Sequence, residues 1–215
     1  MLNITRFVFN NFSENTYIVA DSATRQAAVI DPGMLMPEEY RAFEKFVEEA
    51  NLKLTQVILT HAHLDHCFGV NYVKDKYNIP VVAHSGDSPL AKTLCLQARR
   101  FGMGKCLKED VSFDVNLKDG DKIKIGNSQL EVIHVPGHSP GGIVLYSREN
   151  SVAFVGDSIF NSSIGRTDLE GGDYETLIGA LKSRVLSLPD DTVLLSGHGD
   201  QTTVGDEKKH NPFLR

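Results

Sequence analysis

The 215-residue sequence has few cysteines, no long apolar run and no block of positive charge. Cys67, Cys95 and Cys106 are odd in number and form no C-x-x-C pair. They argue against a disulfide framework and for reduced thiols in a cytoplasm. No stretch approaches the roughly 18 apolar residues of a membrane span, so no membrane association is expected. The opening MLNITRFVFNNFSEN lacks the basic and apolar segments of an export signal. With a formal net charge of −6 and no run of Lys or Arg, nothing in the charge balance favours nucleic acid. Repeats, low-complexity segments and linkers are also missing, and a single domain over residues 1–215 is expected.

What is present is an ordinary globular composition, 41% hydrophobic and 23% charged, able to bury a sizeable core. Short β-rich runs come first, at 4–9, 16–20 and 27–31, the last stopped by Pro32-Gly33. Apolar residues at helical spacing predict a helix over 37–50. Then follow a buried strand at 56–60, a helical stretch at 67–77, a strand at 79–83 and a helix at 88–100. Strands at 121–125, 129–135, 142–147 and 152–155, a helix at 173–188 and a strand at 192–196 complete the pattern. Strands, helices, strands and a last helix predict two sheets with helices outside, an α/β sandwich rather than a strict βαβ alternation.

The chemistry concentrates in THAHLDH, residues 60–66, which holds three of the eight histidines in the chain. Further potential ligands follow expected strands: His138 in VPGHSPGG, Asp157 in AFVGDS and His198 in LLSGHGD. Any one of these histidines alone reads more simply as a hydrogen-bonded core or surface residue. Together they read as a metal site. In an extended stretch alternate side chains share a face, so His61 and His63 can reach one ion together. A turn after them sends Asp65 and His66 toward a second point. This gives His61, His63 and His138 for one ion, Asp65, His66 and His198 for another, and Asp157 as a bridge, since a carboxylate can span ions about 3.5–4 Å apart.

THAHLDH, PGHSPGG, the strand-terminal GD and the late GH resemble the metallo-β-lactamase superfamily. The resemblance implies an αββα sandwich with the metal site at one edge between the sheets. It also implies that Asp31, in VIDPG, supports a ligating histidine. The segments GDSIFNSSIGRTDLEGGD and HGDQTTVGDEKKHNPFL are similar to a short subgroup of glyoxalase II-type hydrolases. That likeness implies two divalent ions, zinc foremost with iron or manganese as alternatives, that ionise water to cleave a small-molecule thioester. Asp65 would shuttle a proton.

Where the family offers a Lys and a Tyr to glutathione, this chain has Arg166 and Asp168. Arg166 is expected to hold a substrate carboxylate. Little chain follows His198, so the C-terminal helical domain of glutathione-specific relatives is expected to be absent. The rival enzyme reading, a persulfide dioxygenase of similar fold, would hold one iron with His61, His138 and Asp157. A metal-binding module without turnover ranks below both.

Other signals carry less. GHSPG, residues 137–141, matches the serine-hydrolase elbow, but Pro140 has no N–H to donate to an oxyanion and a β-rich run follows. FGMGKC, 101–106, lacks the third glycine of a nucleotide loop. His84 and His134 read as hydrogen-bonded structural residues, Cys67 as a helix position facing away from the site, and His210 as a surface residue near a flexible terminus.

Overall fold

The computed structural model describes residues 1–104 and 107–215. The first sheet is built from β1 (Leu2–Phe9), β2 (Glu14–Asp21) and β3 (Gln26–Ile30), which run antiparallel. After α1 (Pro37–Glu49), β4 (Lys53–Ile58) joins parallel to β3. A 3₁₀ turn at Leu64–His66 and α2 (Val70–Tyr77) lead to β5 (Val81–His84). The helices α3 (Ser88–Ala91) and α4 (Leu94–Arg100) lead to β6 (Val115–Leu117). The six strands lie in chain order, and the crossovers carry the helices on one face.

The second sheet is made of β7 (Lys122–Ile125), β8 (Ser128–His134), β9 (Ile143–Ser147) and β10 (Val152–Gly156). A small hairpin, β11 (Ile159–Phe160) with β12 (Ser163–Ile164), and α5 (Tyr174–Ala180) intervene. The chain then returns with β13 (Val193–Ser196), β14 (Thr202–Thr203) and α6 (Val204–His210). The order is β14-β13-β10-β9-β8-β7, with β13 parallel to β10.

The apolar runs of the sequence are strands buried on both faces, because each sheet is covered twice. In β2, Tyr17 and Val19 point between the sheets, while Ile18 and Ala20 point to α1, α2 and α4. In β10, Val152 and Phe154 point between the sheets, while Ala153 and Val155 pack on α5 and α6. Three apolar layers separate four layers of structure: helices, sheet, sheet, helices. The chain has the αββα sandwich expected of it.

Some elements differ from the sequence reading. The expected helix 88–100 is broken at Lys92 and Thr93. There the Thr93 hydroxyl and the Gln97 amide both donate to the Leu90 carbonyl, competing with the backbone ladder. The stretch expected to be helical from residue 67 starts at Val70, with Cys67 capping the preceding turn, fully buried in the apolar core. The expected 173–188 helix widens into a π-turn at Leu181–Val185. The C-terminal stretch is anchored, contrary to expectation. Buried Glu207 accepts from Thr202 Oγ1, Ser162 N and Asn211 Nδ2, although His210 itself is exposed. The FGMGKC segment lies partly outside the described residues, as does Cys106.

Candidate metal centre

Strand ends from both sheets converge on one edge. β4 runs into the histidine stretch, β8 leads to His138, β10 to Asp157 and β13 to His198. The edge is stitched across the sheets. Ile143 N donates to Thr60 O at 2.9 Å, Asn15 N to Gly197 O at 2.7 Å and Tyr17 Oη to Ser196 O at 2.7 Å. Two glycines let backbone come this close: Gly156 has φ 49°, and a Cβ at Gly197 would overlap the Asp157 carboxylate and the His66 ring.

His61, His63 and His138 present nitrogens within 4.8 Å of one another, as do the donors of Asp65, His66 and His198. A third grouping joins Asp31 with His61 and His66. Asp157 stands between the first two. Its Oδ1 is 3.4 Å from His66 Nε2, and its Oδ2 is 3.7 Å from His138 Nε2 and 3.4 Å from His198 Nε2.

The outer hydrogen bonds set which ring nitrogen faces inward. Thr60 gives its one hydroxyl proton to Asp31 Oδ2 at 2.5 Å, so it accepts from His61 Nδ1 at 3.0 Å. His66 Nδ1 faces Asp31 Oδ2 at 3.2 Å, His138 Nδ1 donates to Arg166 O at 2.7 Å, and His198 Nδ1 to Phe12 O at 3.0 Å. In all four rings Nε2 is left to point inward, the arrangement that orients ligating imidazoles. His63 Nδ1 lies 2.8 Å from His138 Nε2, a separation that needs a proton or a cation between two lone pairs.

The donor set fits a divalent transition metal. His61 Nε2, His66 Nε2 and Asp157 Oδ1 are buried with no hydrogen-bond partner among the described residues, a cost that a bound cation removes. Histidine and carboxylate donors suit zinc, iron and manganese alike.

The electrostatics split the rings. Burial pushes His61 well below the ordinary histidine range and His63 down to about 3. Burial also opposes charge on His66 and His198, but the Asp157 and Asp65 carboxylates outweigh it, raising His66 and taking His198 to about 10. Asp157 is held well below the carboxylate range: burial alone would raise it, and His66 dominates the opposing effect. A site that draws protons onto histidines this strongly also draws cations, and a metal must displace those protons.

A cavity of about 420 Å³ opens over the centre, with His63, Asp65, His138, Asp157 and His198 in its wall. Asp65 Oδ2 lies 3.1 Å from His198 Nε2, at the border between donors and cavity. Arg166 also lines the cavity, but its guanidinium is held by both oxygens of Asp168 at 2.8 Å. Ser139 is buried and donates to Asp87 Oδ2 at 2.8 Å, leading into β9 rather than a helix. His84 and His134 stack at 4.1 Å away from the cluster, bonded to Gly86 N and Pro140 O.

Sequence reasoning missed Glu14. It is fully buried, with Oε1 3.8 Å from His66 Nδ1, and burial raises its pKa well above the usual range. Thr16 Oγ1 ties it to the Asp31 carbonyl. A lone Glu opening a β-rich run gives no signal of this. It also missed Phe12, Gln97 and Arg100, which line the cavity.

The fold and the paired donor clusters define the class as an αββα sandwich with a metal-binding type of site at the edge between its sheets. The model of the metallo-beta-lactamase superfamily matches residues 10–198, and the chain belongs to that superfamily. A curated relative, hydroxyacylglutathione hydrolase GloC of Haemophilus influenzae, is 37% identical over 99% of this chain and 98% of its own length. Among solved structures, TTHA1623 in a di-iron-bound form matches with TM-score 0.85 and 35% identity, over 98% of this chain and 100% of the other. The BLEG-1 B3 metallo-beta-lactamase matches with TM-score 0.88 and 33% identity, over 99% of each chain. Among the described residues no helix is long and apolar enough to cross a membrane.

Proposed function

We propose that the protein is a two-metal hydrolase of small-molecule thioesters. The observation that carries this reading is Asp157, which places one oxygen toward His66 and the other toward His138 and His198, between two three-donor clusters. The likeness to a hydroxyacylglutathione hydrolase supports the thioester as substrate. His61, His63 and His138 would hold one ion, Asp65, His66 and His198 the other, with Asp157 shared and Asp31 steadying His66 and, through Thr60, His61. Zinc is the first choice, with iron or manganese suiting the same donors.

Divalent ions, when bound, supply Lewis acidity that brings the pKa of water down to about 7. The chain's own part is placement. Asp65 Oδ2 sits beside His198 Nε2 at the cavity wall, where it can take a proton from water and return it to the leaving thiolate. The His138 and His198 rings are fixed by the Arg166 and Phe12 carbonyls, and the buried side of the centre keeps water to the cavity face. The test is thioester cleavage before chelation, after it, and after reloading with zinc, manganese or iron. Loss and recovery support the reading; full cleavage by exhaustively metal-free protein overturns it.

A further inference from the structure

Arg166 is a weaker candidate for binding a substrate anion, because Asp168 occupies the Nε–Nη2 edge of its guanidinium and offsets its charge. A substrate carboxylate approaching the remaining Nη1 side would meet the repulsion of the Asp168 charge beside it. Another cation faces the same cavity. Arg100, in the last turn of α4, is exposed and lines the cavity, and its side chain has no ion pair or hydrogen bond among the described residues.

We infer that Arg100 is the specificity-determining residue, recognising a carboxylate carried by the substrate some atoms away from its thioester. The inference rests on the thioesterase reading for the bond that is cleaved, but not for the binding itself.

The helix that carries Arg100 is held in place. Leu94 and Ala98 bury the other face of α4, and the Gln97 amide is pinned to Leu90 O and Thr93 Oγ1. α4 packs against the Leu64–His66 turn, so the helix that carries Arg100 is fixed to the segment that carries Asp65 and His66. Phe12, Leu64, Leu90, Phe101 and Leu169 add apolar wall. An apolar cavity with one unsatisfied cation is the pattern that binds an amphiphilic anion. A volume of about 420 Å³ lies toward the small end of ligand sites and selects compact thioesters.

A basic residue in a last helical turn also complements the helix dipole, but Arg99 is in that turn too and does not line the cavity. Glu170 lines the cavity as well and opposes an anion. Its removal should therefore strengthen binding where removal of Arg100 weakens it.

The experiment uses two matched pairs of thioesters with the metal-loaded full chain. S-acetyl-3-mercaptopropanoate and its amide place the carboxylate on the thiol. S-methyl thiosuccinate and its amide place it on the acyl group. Wild type should prefer at least one carboxylate over its amide by about tenfold in kcat/KM, mostly through KM, the scale of one charge-assisted hydrogen bond. Arg100→Gln should remove that preference, Arg100→Lys should keep part of it, and Glu170→Gln should increase it. Arg166→Ala should change it by less than about threefold, a factor below one such bond.

Binding of the uncleavable thioethers 3-(benzylthio)propanoate and 3-(benzylthio)propanamide, measured by calorimetry, gives the same comparison without turnover. If no thioester is cleaved but the propanoate binds more tightly through Arg100, the hydrolase reading falls and this inference stands. A carboxylate preference unchanged in Arg100→Gln, lost in Arg166→Ala, or absent from wild type overturns it.

Discussion

Asp31 holds Thr60 with both carboxylate oxygens, Oδ1 accepting from the Thr60 amide at 2.7 Å and Oδ2 from its hydroxyl at 2.5 Å. Because that hydroxyl proton is spoken for, His61 Nδ1 must be the donor in its bond to Thr60, and Nε2 must face the centre. Asp31→Asn removes the charge and leaves one oxygen to do the work of two. Metal affinity should fall about 10–100-fold, the usual effect of losing such a supporting bond. A competition titration with a chromophoric chelator measures it, and affinity equal to wild type would detach Asp31 from the site.

The proton load of the metal-free centre sets a pH dependence. His198, at about 10, is raised above its unfolded value near 6.5 by Asp157 and Asp65, which outweigh burial. Its contribution to stability is therefore complete below about pH 6.5 and is lost as pH rises toward 10. Metal competes with the same proton, so affinity should rise across that window, with protons released on binding. Calorimetry in buffers of different ionisation enthalpy counts them. Proton release that stays at zero across pH 6.5 to 9, roughly the window set by that shift, would contradict the account.

Activity of the loaded enzyme should rise with pH through an apparent pKa near roughly 7, reflecting ionisation of water. A kcat/KM profile from pH 5 to 9 spans that range on both sides. A profile that falls with pH across it would show that the essential group acts as an acid.

Phe154 stands fully buried between the two sheets, with its ring 5.3 Å from that of Tyr17. Phe154→Ala should cost about 3–5 kcal/mol, through lost transfer energy and the cavity left behind. Urea denaturation of wild type and variant measures it. A loss under about 1 kcal/mol, far below that range, would mean that the sheets close over the gap.

The long strands and the cluster of His and Asp donors were legible because their signals are local and dense. Doubly buried strands read as apolar runs, and THAHLDH puts several donors into one short stretch. The strands β6, β11, β12 and β14 are two or three residues long, too short for alternation to show. α6 does have a local start signal: Thr203 Oγ1 accepts from the amide of Asp206, the T-x-x-D start of a helix. The helix break at Thr93 depends on which carbonyl its hydroxyl and Gln97 can reach, which spacing alone does not reveal. Glu14 and Arg100 were missed for opposite reasons. Burial of Glu14 is made by distant segments, and Arg100 looks like any basic residue ending a helix until the cavity in front of it is seen.

The central claim is that two ions share Asp157, and His66→Ala tests it most directly, because in that reading His66 would hold one of the two ions and not the other. Metal per chain and thioester cleavage should be measured on wild type and variant purified and reloaded identically. The expected result is about two ions in wild type and about one in the variant, with cleavage greatly reduced. One iron per chain in both proteins, with persulfide-dependent oxygen uptake and no thioester cleavage, would contradict the account and favour the one-iron dioxygenase.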